Sequence, residues 1–316
     1  MKKALIFGAS GQAGSYLVEQ LLEKGYEVHG TSNNHTINTK LTKSWVIDFN
    51  CRSDEYDWDD STFRIHNVIS KVKPDEIYNM ASIMFAPNSW KNPREVIDVN
   101  GSSVVTILEA ICKYCPQTHF VQAGSADSEL LDSPYAVAKN MAKNIVKLFR
   151  EKEGLHASTA IFYNMESPRR SDFFFSRKVI KEIVNYLKTK RPFHMGPLAA
   201  VRDWGWTPEY MEAVQLMAKS DKPDDYVIAT GESHSCRDFI KEALYQVGED
   251  PNNFERYCIE DKTLNTQQTR MYSLNGMEVF PIMVTLGWKA KTKFEDVIKK
   301  LLEAEHKRQQ REELLI

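Results

Sequence analysis

A short β-rich run that breaks into three evenly spaced glycines, and then into a helical period, leaves few folds open. The chain begins this way: Lys3-Ala4-Leu5-Ile6-Phe7 leads into Gly8-Ala9-Ser10-Gly11-Gln12-Ala13-Gly14, after which Tyr16, Leu17, Gln20, Leu21 and Lys24 recur at helical spacing. In such a strand–turn–helix the first glycine permits the tight turn and the second lets backbone N–H groups approach a pyrophosphate. The third lets helix and strand pack closely, with the helix N-terminus facing the phosphates. The turn predicts a dinucleotide site that includes Gly8, Ser10, Gly11, Gln12, Ala13 and Gly14.

Further strand-like runs follow at Glu27–Thr31, Trp45–Asp48, Glu76–Asn79, His119–Ala123 and Ala157–Phe162, separated by helical periods such as Val104, Ile107, Leu108 and Ile111. This alternation implies right-handed crossovers and a parallel sheet covered on both faces. The expected fold is α/β: a Rossmann-type doubly wound parallel sheet with a smaller mixed α/β substrate-binding domain. Residues 1–163 read as the NAD(P)-binding domain and 164–316 as mainly the substrate domain, with some segments free to return to the sheet. After Pro168 turns are frequent, and helices near Ser176–Thr189 and Pro208–Lys219 carry much of the apolar content. The stretch Lys293–Glu313 reads as a charged amphipathic helix packed by Phe294, Val297, Ile298, Leu301 and Leu302.

Composition narrows the function classes. The 316 residues hold 41 Lys+Arg against 43 Asp+Glu, too balanced for a general nucleic-acid binder. No apolar run approaches the ~20 residues that span a bilayer, and the first strand is too short for a signal peptide, so the expected location is cytoplasmic. Five scattered cysteines, Cys51, Cys112, Cys115, Cys236 and Cys258, do not make a disulfide framework. Cys112-x-x-Cys115 lacks a second ligand pair at metal spacing and reads as two thiols at a helix end. The eight histidines show no paired-ligand spacing, so no metal is expected. Trp204 and Trp206 read as wall or core residues.

Tyr135-Ala136-Val137-Ala138-Lys139 places a phenol and an ammonium on one helical face, and the cation favours the phenolate. Gln122-Ala123-Gly124-Ser125-Ala126-Asp127 lies at the C-terminal end of the preceding strand, where open α/β sheets bind ligands. Ser125, Tyr135 and Lys139 form a set for hydride chemistry at a C–OH/C=O pair, with Asp127 as acid/base and Glu129 as its rival. Tyr135 and Lys139 also belong to the cofactor-contacting set, with Asn33, Asp48, Phe49 and Ala81. The end of the second strand, Ser32-Asn33-Asn34, has neither the acid that holds the ribose of NAD nor the arginine that holds the phosphate of NADP, so both cofactors stay open.

Several blocks carry a resemblance over nearly the whole chain: Gly11-Gln12-x-Gly14-Ser15-Tyr16-Leu17, Pro74–Asn79, Ser133–Lys139, Glu166-Ser167-Pro168-Arg169-Arg170, Arg202-Asp203-Trp204-Gly205, Asp224–Glu232 and Leu286-Gly287-Trp288-Lys289. In these the chain resembles the GDP-mannose 4,6-dehydratase family of extended short-chain dehydrogenases/reductases. The resemblance implies oxidation at C4 of a nucleotide sugar, elimination of water across C5–C6 and return of hydride to C6. It also implies that Asn164, Lys178 and Arg202 contact the sugar diphosphate, that the substrate is GDP-linked, and that the assembly is a homodimer or homotetramer.

The chain departs from the family pattern at several points. Thr-x-Glu becomes Ser125-Ala126-Asp127, with a shorter loop before Tyr135; paired arginines become Asn33-Asn34; Gln-Ser-His becomes Ile83-Met84-Phe85. An Arg-Pro-x-Glu is replaced by Asn265-Thr266-Gln267-Gln268. These motivate an alternative, a C4 ketoreductase, dehydrogenase or epimerase without elimination. A dinucleotide-binding protein without catalysis is the third class.

Overall fold

Ala4-Leu5-Ile6-Phe7 is apolar at every position, the pattern of a strand covered on both faces. The computed structural model describes residues 1–32, 43–46, 60–84, 89–261, 263 and 278–314. In it Lys3–Phe7 forms β1, Gln12–Glu23 α1, Glu27–Ser32 β2 and Lys43–Val46 β3. Asp60–Val72 is α2, Glu76–Asn79 β4, Pro93–Ile97 α3, Ser103–Tyr114 α4 and His119–Ala123 β5. Pro134–Lys152 is α5, Ala157–Phe162 β6, Asn164–Glu166 β7 and Phe175–Thr189 α6. There follow β8 (Phe193–Met195), β9 (Val201–Arg202), β10 (Trp204–Trp206), α7 (Thr207–Lys219) and β11 (Tyr226–Ile228). The last elements are β12 (His234–Ser235), α8 (Cys236–Gln246), β13 (Cys258–Glu260), α9 (Phe280–Leu286) and α10 (Phe294–Glu313). The strand expected at Trp45–Asp48 is β3, set earlier at Lys43–Val46; position 48 lies outside the described residues.

The main sheet has seven parallel strands in the order β11-β6-β5-β4-β1-β2-β3, a Rossmann-type arrangement in which β1 pairs with both β2 and β4. Ile6 stands opposite Gly30 on one side and Tyr78 on the other. Leu5, Phe7, Ile77 and Phe120 pack with Ile65, Ile69, Ile107, Ile111 and Val146 in one buried cluster, so α2, α4 and α5 cover that face. The alternate residues Ala4, Ile6, Tyr78 and Val121 are equally buried and point to the other face.

By contacts the chain divides into two compact units. The first is Met1–Phe162 with Met211–Ile228 and Ile282–Trp288; the second is Tyr163–Tyr210, Ala229–Pro281 and Lys289–Ile316. Most of α7 therefore belongs to the first unit. Gln215 bonds Gln20 and Lys24 there, both at 2.6 Å, setting α7 beside α1.

The second unit has three small strand pairs: β7 with β10, β8 with β13 and β9 with β12. Its core gathers α6, α8 and α10 around Trp204, whose ring lies 5.1 Å from Phe239 and 5.7 Å from Phe294. Trp204 is thus a core residue, and Trp206 packs against that core. Phe294, Val297, Ile298, Leu301 and Leu302 form the buried stripe of α10, as the helical spacing implies. Arg177 on α6 and Glu305 on α10, 4% and 0% exposed, are joined at 3.1 Å. Removing one partner of such a pair leaves a buried charge short of compensation. Glu305→Ala is expected to lower the unfolding free energy of the chain by ~3 kcal/mol, read by urea denaturation; a change near zero would mean that Asp172, 3.3 Å from Arg177, suffices as its partner.

Candidate active site

The turn between β1 and α1 is shaped by backbone contacts. Gly8 has φ +77°, and a Cβ there would lie 2.7 Å from the Ala81 backbone nitrogen beyond β4. A Cβ on Gly14 would overlap the Gly8 carbonyl oxygen, so only glycine lets α1 start this close to β1. Gly11 N donates to Gly8 O at 3.0 Å, and Ala9 N donates to Thr31 O at 2.9 Å. The Ser10 and Ser32 hydroxyls are 2.8 Å apart and share a hydrogen bond. No side chain caps α1 at Gly11, and its first turn carries no acidic residue. This end of α1, with Gln12, Ala13 and Gly14, is a positive, backbone-lined cradle, which fits the pyrophosphate of a dinucleotide. Ala81 is thereby brought against the glycine turn. Asn33, Asp48 and Phe49 lie outside the described residues, as do Cys51, Phe85 and Asn265–Gln268.

At the end of β5, Ser125 is 9% exposed and its Oγ accepts from Asp127 N at 3.2 Å, capping the short 3-10 turn Ala126–Glu129. Ser133 caps α5 by accepting from Ala136 N at 3.2 Å, and Pro134 opens the helix. This start puts Tyr135 and Lys139 one turn apart on α5. Lys139 is buried; its Nζ donates to Ala123 O at 2.9 Å and lies 5.9 Å from the centre of the Tyr135 ring. Burial lowers the Lys139 ammonium to about 8, so it remains charged at neutral pH yet titrates close above it.

The two candidate carboxylates differ in surroundings. Asp127 is half-buried in the turn that Ser125 caps. Glu129 is exposed and paired with Lys143 at 2.5 Å, and that hydrogen bond holds its carboxyl below the usual range.

In the second unit Asn164 N donates to Asp203 O at 3.1 Å, which places Asn164 next to Arg202 in the chain fold. Asp203 is buried and accepts from Thr230 Oγ1 and the N–H groups of Thr230, Gly231 and Glu232 at 2.8–3.2 Å. Burial pushes its carboxyl up, against those hydrogen bonds. Lys178 is exposed on α6. Its neighbours Arg170 and Arg177 are spent inside the unit: Arg170 pairs with buried Glu166 at 3.2 Å and stacks on Phe174, and Arg177 pairs with Glu305.

Three amides near the candidate site are not in the sequence-based set. Asn79 Nδ2 donates to Gln122 Oε1 at 2.8 Å, and Gln122 Nε2 donates to Ala123 O at 3.0 Å. Asn100, in a π-helical turn at Asp98–Ser102, grips Ile83 by both its N–H and its carbonyl at 2.9 Å. The available signal was an amide at the end of a buried apolar run, which demands a partner. Cys112 and Cys115 have thiols pushed up by burial, and no metal-holding cluster occurs among the described residues. No helix among them is long and apolar enough to cross a membrane.

A sequence model described as GDP-mannose 4,6 dehydratase matches residues 5–128 and 132–301. The chain belongs to the GDP-mannose 4,6-dehydratase family. The GDP-mannose 4,6 dehydratase of Cricetulus griseus is 33% identical over 340 aligned residues, 96% of this chain and 91% of that one. Among solved structures, a UDP-glucose 4-epimerase from Thermotoga maritima with UDP-glucose superposes with a TM-score of 0.83 at 17% identity, covering 97% and 99% of the two chains. MoeE5 in complex with UDP-glucose and NAD gives 0.78 at 17% identity over 97% and 99%. At those identities the two structures establish the shared fold alone.

The interior position of Lys139 has a cost that can be measured. Lys139→Met keeps an unbranched side chain one atom shorter, removes a charge from the interior and leaves Ala123 O bonded to Gln122. The substitution is expected to raise the unfolding free energy at pH 7 by ~1 kcal/mol or more, read by urea denaturation. A decrease would show that the ammonium–carbonyl bond outweighs burial.

Proposed function

We propose that the chain removes water from a GDP-linked hexose of the GDP-mannose class, with a nicotinamide dinucleotide as cofactor. Family membership supports the substrate class, and the buried Lys139 ammonium beside the Tyr135 ring is the observation that carries the chemistry. Gly8, Ser10, Gly11, Gln12, Ala13, Gly14 and Ala81 would hold the dinucleotide, with Asn33, Asp48 and Phe49 toward its adenosine end. When bound, it supplies the acceptor and donor for hydride. Tyr135 takes the proton of the sugar's C4 hydroxyl, its phenolate favoured by the Lys139 charge. Ser125 Oγ donates to the C4 oxygen and polarises the ketone that forms. A C4 ketone acidifies the C5–H; Asp127 takes that proton and returns it to the hydroxyl leaving C6, so that water departs. Glu129 is less suited, because Lys143 keeps it ionised at the surface. Asn164, Lys178 and Arg202 would hold the diphosphate, the cations through charge-assisted hydrogen bonds.

A reaction without elimination is favoured by one observation. The family match is interrupted between residues 128 and 132, where the loop before Tyr135 is short and Leu131 has φ +52°. A C4 ketoreductase, dehydrogenase or epimerase would turn over NAD(P)H or invert C4 without loss of water. Mass analysis of GDP-mannose incubated with the chain separates the two. The expected product has lost one water with no net NAD(P)H, and Asp127→Asn slows its formation by ~100-fold or more while Glu129→Gln stays near the parent rate. Net NAD(P)H formation without water loss would transfer the assignment to the second reaction.

The cofactor type and assembly can be read together. Asn33-Asn34 supplies neither an acid for the ribose of NAD nor an arginine for the phosphate of NADP, so both should be accepted. A homodimer or homotetramer would form through α4 and α5, covering Val137 and Leu148, now 45% and 49% exposed. Native mass spectrometry is expected to show such an oligomer and to retain either dinucleotide when each is added; a monomer, or retention of only one, would overturn the corresponding assignment.

A further inference from the structure

Side-chain amides are rare inside a sheet because donor and acceptor both need partners, and in the relay below Asn79 Oδ1 is the one group that finds none among the described residues. Asn79 and Gln122 stand opposite each other at the ends of β4 and β5, each 1% exposed. Asn79 Nδ2 donates to Gln122 Oε1 at 2.8 Å, and Gln122 Nε2 donates to the carbonyl of Ala123 at 3.0 Å. The same carbonyl accepts from Lys139 Nζ at 2.9 Å. A carbonyl oxygen offers two lone pairs, and here one goes to the amide and one to the ammonium.

The geometry points to Asn79 and Gln122 as positioning residues for Lys139: their relay fixes the Ala123 carbonyl and, by occupying one of its lone pairs, limits how strongly it holds the ammonium. This rests on the part assigned to Lys139 and Tyr135 above. Burial lowers the Lys139 titration. The ring of Tyr135, 5.9 Å away, faces it from its own helix and β5 offers the shared carbonyl, while the turn Ala126–Glu129 packed against α5 carries Asp127 and Glu129, the latter paired with Lys143. In so dry a setting, competition for a single acceptor bears directly on the proton affinity of the amine.

The test is the titration of Lys139 itself, followed by NMR in the full chain labelled at lysine Cε and assigned by comparison with Lys139→Met. In the parent chain the Gln122 side-chain amide signals should move with the Lys139 titration. Gln122→Glu can still accept from Asn79 but cannot donate to Ala123 O, and it adds a negative charge nearby. It should raise the Lys139 midpoint by about one pH unit or more. Asn79→Asp offers Gln122 only acceptors, so the Gln122 amide turns to donate to it and withdraws from Ala123 O; the midpoint should again rise, by less. The alkaline limb of kcat for the nucleotide sugar should move up in step, with KM little changed. An unmoved midpoint in either folded variant, or Gln122 amide signals indifferent to the parent titration, would overturn the assignment. A midpoint that moves as expected while the parent chain itself turns over no nucleotide sugar would support the relay and instead defeat the proposed function.

Discussion

A parallel sheet cannot leave a face in water, and most of the first unit follows from meeting that constraint. The consecutive apolar residues of β1 need cover on both sides. α2, α4 and α5 supply one side, from segments that precede or directly follow the strands they cover. The other side holds α1, with α7 bonded beside it through Gln215, although α7 lies beyond much of the second unit in sequence. β11 likewise returns to pair with β6 at the end of the sheet. The site at the ends of β1, β4 and β5 is positioned by this closure: backbone contacts too tight for a Cβ at Gly8 or Gly14 exist only when strands and helix are pressed together.

Within that frame the candidate chemistry depends on a charge kept where charges are expensive. Lys139 is held by one carbonyl at the C-terminal end of β5, against a helix started by Ser133 and Pro134. The same burial that weakens the fold locally brings the ammonium into a range where it can act near neutral pH. Ser125 is fixed independently, by capping its own turn, so the two groups are set by different local rules at the end of one strand.

Much of this was legible in the sequence because it rests on local pattern. The glycine spacing, the apolar strands and the Tyr135–Lys139 spacing need no knowledge of distant partners, and the apolar stripe of α10 can be read from its period. The amide relay could not be read, since pairing Asn79 with Gln122 requires the register of β4 against β5. The fate of the cations was likewise hidden: nothing in the local spacing around Arg177 shows that Glu305, far along the chain, lies against it. A sequence break after Pro168 suggests a second domain from which some segments return to the sheet, but it does not single out α7, because helical periodicity does not say which surface a helix covers.

The discontinuity of the first unit has a consequence for the chain's birth. As the protein leaves the ribosome, the strands up to Phe162 are complete long before Tyr226–Ile228 has been made, so the outer edge of β6 stays unpaired. One face of the sheet also waits for Met211–Lys219. The second unit has then partly emerged, yet Lys289–Ile316, which carries α10, is still to come. The unit that begins first therefore cannot finish until most of the molecule exists, and the interval exposes a bare strand edge to whatever else is folding nearby.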